Sequence, residues 1–111
     1  MLRTDIWTGA FVRRHNDLGH MCVVARRGDP VAGQVFVVVD HLDGTASLFT
    51  PAPAAARTDD GADRVFQLRF ERVELQRVDE RIAQEQRFDP DLWVLALELR
   101  NGEPGLNVLP Q

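Results

Sequence analysis

Asp89, Asp91 and Glu98 surround Trp93 in the segment FDPDLWVLALE. Three neighbouring carboxylates are the residue set that holds a hard divalent cation or exchanges protons with a substrate. His15, His20 and Cys22 bring imidazole and thiol together within eight positions, as a zinc site or a thiolate-imidazole pair requires. Asp40-His41-Leu42-Asp43 offers two carboxylates around a histidine, a grouping suited to acid/base work. Arg13, Arg14, Arg26 and Arg27 form two basic doublets able to fork onto phosphate.

Each set has a plainer explanation. Asp89 and Asp91 suit the exposed turn around Pro90, and Trp93 alternates with Leu95 and Leu97, which places it in a core before a ligand platform. The His15, His20 and Cys22 spacing matches no established ligand pattern, so no metal is expected, and one cysteine in a valine strand reads as a small buried hydrophobe. Asp43-Gly44 belongs to a hairpin turn. Arg72, Arg77, Arg81 and Arg87 are interleaved with Glu71, Glu74, Asp79, Glu80 and Glu85, a mixed-charge solvated face.

Composition narrows the classes. At 111 residues the chain is read as a single α+β domain, residues 1–111, able to hide roughly 65% of its unfolded surface. Hydrophobic residues at 44% and charged residues at 27% exclude a disordered or collagen-like chain. A net charge of −4 argues against a dedicated nucleic-acid binder. All of the basic residues are arginine, a usage that a GC-rich coding sequence explains without selection for phosphate contacts. The longest apolar run, Val35 to Val39, is far short of the roughly 18 residues of a membrane span, and Met-Leu-Arg-Thr-Asp carries no signal-peptide core. A cytoplasmic location and no membrane are the expectation, and the lone Cys22 agrees with a reducing compartment.

The elements that would position these residues can be read in order. Thr4 is placed to cap a helix burying Ile6, Trp7, Ala10 and Phe11, and Gly19 to end it; a hairpin strand over residues 4–17 is the competitor. Met21 to Ala25 and Gln34 to Val39 read as strands, the second covered on both faces because its residues are apolar on both. Asp43-Gly44 returns Thr45 to Thr50 antiparallel. Pro51 to Gly61 is a loop, and Val65 to Phe70 a strand with Phe66, Leu68 and Phe70 on one face. Leu75, Val78, Ile82 and Ala83 mark a second helix with Arg81 and Glu85 paired outside; Asp89-Pro90 stops it. Leu92 to Leu99 is a last long strand, and Leu106 to Leu109 a short edge. The sum is a mainly antiparallel sheet of about five strands with two helices, in the order α-β-β-β-β-α-β.

Two blocks, RRGDPVAGQVFV with the following Asp43-Gly44 turn and IAQEQRFDPDLWV, occur in the order found in the family catalogued as domain of unknown function 1491, and the chain resembles that family over most of its length. The resemblance implies a stand-alone protein of about this size, with no activity, cofactor or partner to carry over. In the family's pattern carboxylates follow the Trp, as D-P-D-L-W-x-x-E-x-E-D. This chain keeps Asp89, Asp91, Trp93 and Glu98 and has Ala96 and Leu99 at the other acidic places.

On these grounds the leading expectation is a non-enzymatic protein-interaction module without cofactor, acting on an unknown protein partner or on itself as a homodimer paired through sheet edges. A metal-dependent or acid/base enzyme using Asp89, Asp91 and Glu98 is the alternative. Weak nucleic-acid association through Arg13, Arg14, Arg26 and Arg27 is the second.

Overall fold

The computed structural model describes residues 2–53 and 64–110. Its elements are helix α1 (Thr4–Asp17), strands β1 (Cys22–Arg26), β2 (Val35–Asp40), β3 (Thr45–Pro51) and β4 (Val65–Glu74), helix α2 (Leu75–Phe88), and strands β5 (Trp93–Glu98) and β6 (Asn107–Val108). Most of the loop expected from Pro51 to Gly61 lies outside the described residues.

The strands form one six-stranded mixed sheet in the order β1-β5-β2-β3-β4-β6. β1 with β5, β2 with β3 and β3 with β4 are antiparallel; β2 with β5 and β4 with β6 are parallel. The α+β expectation therefore holds, with the short Asn107–Val108 edge as the sixth strand. β2 and β5 lie inside the sheet because both carry apolar residues on both faces, a pattern only an interior, twice-covered strand can bury.

Alternation along the strands sorts the core in two. Phe11 of α1 packs on Val35, Val37, Val39, Phe49, Phe66, Trp93, Leu95 and Leu97. On the other face Val78 and Ile82 of α2 pack on Phe36, Val38, Leu48, Leu92 and Val94. In α2, Leu75 and Ala83 lie outside the buried stripe, which is only Val78 and Ile82. Arg81 and Glu85 pair at 2.9 Å as their i, i+4 spacing requires.

Three local expectations are corrected. α1 is a helix, but its buried residues are Thr4, Thr8, Phe11 and His15, while Ile6 is 52% exposed. Thr4 does not cap it: its Oγ1 donates to Gly33 O at 2.9 Å, and the free helix N–H groups of Thr4 and Asp5 donate to Val31 O and Pro30 O. Phe70 faces α2, not the side of Phe66 and Leu68. Irregularities in the β3–β4 ladder insert an extra residue on β4 between Phe70 and Leu68, and another between Val73 and Phe70, each of which reverses the alternation.

The two sequence blocks meet as one clasp. Asp29 N–H donates to Asp91 O at 3.0 Å, and Trp93 Nε1–H donates to Asp29 O at 2.7 Å. A Cβ on Gly28 would sit 2.0 Å from Asp91 O, and one on Gly33 2.6 Å from the same atom. Both glycines are required because backbone meets backbone there. Trp93, 1% exposed, pins the junction from the core side, and the Arg27 guanidinium lies 4.9 Å from its ring centre.

Candidate functional site

The carboxylates around Trp93 do not converge. Asp89 Oδ1 accepts Asp91 N–H at 3.1 Å within the turn, at the entry to β5. Glu98 ends β5, five residues beyond Trp93 and so about 16 Å along the strand. Among the described residues no three of His, Cys, Asp and Glu gather as metal ligands would. The arginine doublets separate too. Arg14 donates to Gly105 O at 3.3 Å, beyond the C-terminal end of β5, whereas Arg26 donates to Pro90 O at 2.7 Å and Arg27 covers Trp93, both at its N-terminal end. They make no single basic face.

Asp40-His41-Leu42-Asp43 is divided by the turn. Asp40 Oδ1 accepts Leu42 N–H at 2.8 Å, and Asp43 Oδ1 accepts both the Thr45 hydroxyl and the Thr45 N–H, which holds its carboxyl below the usual range. Leu42 takes a φ of 63° to make this reversal. His41 is left facing inward. Its Nδ1 lies 3.0 Å from Leu99 O, an acceptor only, so the proton sits there and Nε2 accepts the Ser47 hydroxyl at 2.9 Å.

Sequence reasoning did not find this pair; the available signal was a serine inside an otherwise apolar strand, opposite the residue two before His41. His41 and Ser47 line a cavity of about 310 Å³ with Phe49, Leu68, Arg72 and Pro104. A hydroxyl on a tautomer-fixed imidazole is the first half of a nucleophile. The second half is missing. Ser47 Oγ already accepts Arg72 N–H at 3.1 Å, and Ser47 is mid-strand, paired with Val39 in the β2–β3 ladder, so its N–H is not free to hold an oxyanion. Arg72, with a φ of 47° in the β4 bulge, also reaches Asp43 at 3.5 Å and Arg100 O at 3.1 Å. The pair thus fastens the β2–β3 turn, the bulge and the segment after β5 to one another.

Of the His15, His20 and Cys22 group, the structure joins only the two histidines, with 2.9 Å between their Nδ1 atoms. Cys22 is buried in the core beneath α1, and burial pushes its thiol up to about 11, which leaves it protonated and inert.

The outer strand β1 presents two different surfaces. Glu98 N–H donates to Met21 O at 2.9 Å, so Cys22 and Val24 turn their backbone groups away from β5. Those of Cys22 are taken by Asn16, whose amide accepts Cys22 N–H at 3.0 Å and donates to Cys22 O at 3.2 Å. A bulge then breaks the ladder between Val24 and Arg26. The edge is thereby blunted, as edges that must not pair commonly are. The side-chain surface is different. α2 lies over β3 and β4, and on that side of the sheet Val23 is 46% exposed, Met21 is 59% exposed, and Ala96 opposite Val23 is half-buried. Phe88, which ends α2, is 81% exposed.

An α+β domain with a bare apolar strip and, among the described residues, no converged reactive set is the class this geometry defines. The family model for a protein of unknown function, DUF1491, matches residues 2–107, and the chain belongs to the DUF1491 family. A crystal structure of a DUF1491 family protein from Caulobacter crescentus is similar at a TM-score of 0.81, with 36% identity over 98% of this chain and 100% of that one. The solution structure of protein Atu0922 from A. tumefaciens is similar at 0.84, with 31% identity over 99% and 96% of the two chains. Among curated proteins none matches. No helix among the described residues is long and apolar enough to cross a membrane.

Proposed function

We propose that this protein is a non-enzymatic interaction module of the bacterial cytoplasm, binding a protein surface through the uncovered side of β1, next to Ala96 of β5. One observation carries the reading: Met21, Val23 and Ala96 form an apolar strip on the half of the sheet that α2 leaves bare. Exposed large apolar side chains clustered on one face mark a contact surface more often than scattered ones do. A second copy of the chain is the first partner to test. The blunted β1 edge makes such a homodimer a packing of faces, not the edge-to-edge pairing the sequence suggested.

Sedimentation velocity over a wide concentration range tests it, comparing wild type with Met21→Glu/Val23→Glu. Both side chains are exposed, so the variant keeps its fold and its melting temperature. Association in the wild type that the variant loses supports the face. A wild type that stays monomeric, together with a variant that captures the same cellular proteins as wild type, overturns it.

A further inference from the structure

α1 gives way to β1 through Leu18 and Gly19, and two imidazoles hold that turn. His15 Nε2 lies 2.7 Å from Pro104 O, which only accepts, so His15 carries its proton on Nε2. Its Nδ1 lies 2.9 Å from Nδ1 of His20. The ring centroids are 5.2 Å apart, which is that separation plus a ring radius on each side, so the two nitrogens meet head on. There is room for one hydrogen between them. Neutral His15 accepts, and His20 therefore donates its Nδ1–H.

Among the described residues Nε2 of His20 has no protein partner, so a proton added there would meet no neighbour. That proton leaves the geometry intact and makes the bond charge-assisted. A further proton would put hydrogens on both facing nitrogens and charge both rings, which removes the acceptor and adds repulsion. Burial of His15, 2% exposed, opposes its charging, as do the charges of His20 and Arg14, while the Pro104 carbonyl works the other way. The groups around the pair are few. From α1 come Arg14, held on Gly105 O, and the ring of Phe11; from β1 comes the neutral thiol of Cys22; from the segment after β5 comes Pro104, with the exposed Glu103 beside it.

Backbone bonds hold the main chain of the turn, Gly19 N–H donating to Asn16 O at 3.0 Å and His20 N–H to His15 O at 2.9 Å, and leave its side chains open. Gly19 has a φ of 87° with open space around it, and the residues it joins to the pair, Leu18 and Met21, are 65% and 59% exposed. We propose that His15 and His20 form an acid-released clasp, closed with none or one added proton and opened by the second, which displaces the His20 ring beside Met21. The clasp stands on its own geometry; its effect on association rests on the contact face proposed above.

Nitrogen-15 NMR of histidine-labelled protein through a pH titration tests the clasp without a partner. The expected result is an Nε2–H tautomer for His15, an Nδ1–H tautomer for His20, two separated protonation steps, and amide shifts at Gly19 to Met21 that follow the second step only. In His20→Gln, whose replaced ring is partly exposed, His15 should titrate in one step and the turn amides should show no second transition. Identical independent titrations of the two rings, an Nδ1–H tautomer at His15, or turn amides indifferent to the second step would each overturn the clasp. Sedimentation above and below that step addresses the face: association lost in wild type but kept in His20→Gln supports the coupling, and association unchanged refutes it. A wild type monomeric throughout removes the contact face while the NMR result still decides the clasp.

Discussion

Replacing Trp93 with Ala removes the side chain on which both sequence blocks close. Trp93 is 1% exposed and packs among Val35, Leu95 and Leu97. Truncating a buried Trp to Ala costs about 3 to 5 kcal/mol from lost transfer energy and the cavity left behind. The Nε1–H bond to Asp29 O is lost as well. Asp29 O still accepts Gly33 N–H at 3.2 Å, so that carbonyl is not orphaned and the added loss is about 1 kcal/mol. The Arg27 contact adds about 0.5 kcal/mol, being largely exposed. The total, about 4.5 to 6.5 kcal/mol, approaches the whole stability of a small domain. Trp93→Phe keeps most of the packing and loses mainly the hydrogen bond and some volume, for about 1 to 2 kcal/mol. Urea unfolding followed by far-ultraviolet circular dichroism reads both. A Trp93→Ala protein within about 1 kcal/mol of wild type would show that the indole is not the pin of this junction, and the argument from burial and the clasp would fail with it.

Gly28→Ala should destabilise by several kcal/mol, on the order of 3, because its methyl meets the Asp91 carbonyl and not a flexible side chain; a melting temperature within two degrees of wild type would contradict the clasp. Cys22 should resist iodoacetamide at pH 8 until the protein is unfolded, since its thiol is buried and pushed up to about 11; stoichiometric labelling of the native protein, followed by mass spectrometry, would disprove this. His15 is held below the ordinary imidazole value of 6.5, so in the window beneath 6.5 the unfolded chain binds more protons than the folded one. Stability therefore falls as pH drops through that window, and His15→Gln should flatten the dependence; a wild-type denaturation midpoint that rises on acidification there would reverse the sign.

The parts of the fold written in local pattern were legible. Val35 to Val39 is apolar at every position and lies inside the sheet, Asp43-Gly44 turns the chain, and Trp93, Leu95 and Leu97 share one buried face. What escaped depends on contacts between distant segments. Nothing local places β5 between β1 and β2, and the extra residues in β4 that turn Phe70 toward α2 show only against the register of β3. The buried side of α1 was misread because Thr4, Thr8 and His15 are polar, and they are buried only because Gly33 O, Asp5 O and Pro104 O satisfy them. For the site, residue type pointed to Asp89, Asp91 and Glu98, whose placement at opposite ends of a strand is a tertiary fact. His15 and His20 stood out in the sequence only together with Cys22, as a metal or thiolate set, and their pairing, like that of His41 with Ser47, needed the folded register to be seen.

The contact face itself is tested most directly by methyl NMR of the native protein, recorded from low to high micromolar concentration. Val23, Met21 and Ala96 are the methyl groups that self-association must bury, and Val31, 54% exposed in the loop at the α1 N-terminus, serves as an exposed control. The account predicts concentration-dependent shifts and broadening at Met21, Val23 and Ala96, with Val31 unchanged. Shifts centred on Val31, or a dimer that forms while Met21, Val23 and Ala96 stay unmoved, would contradict it.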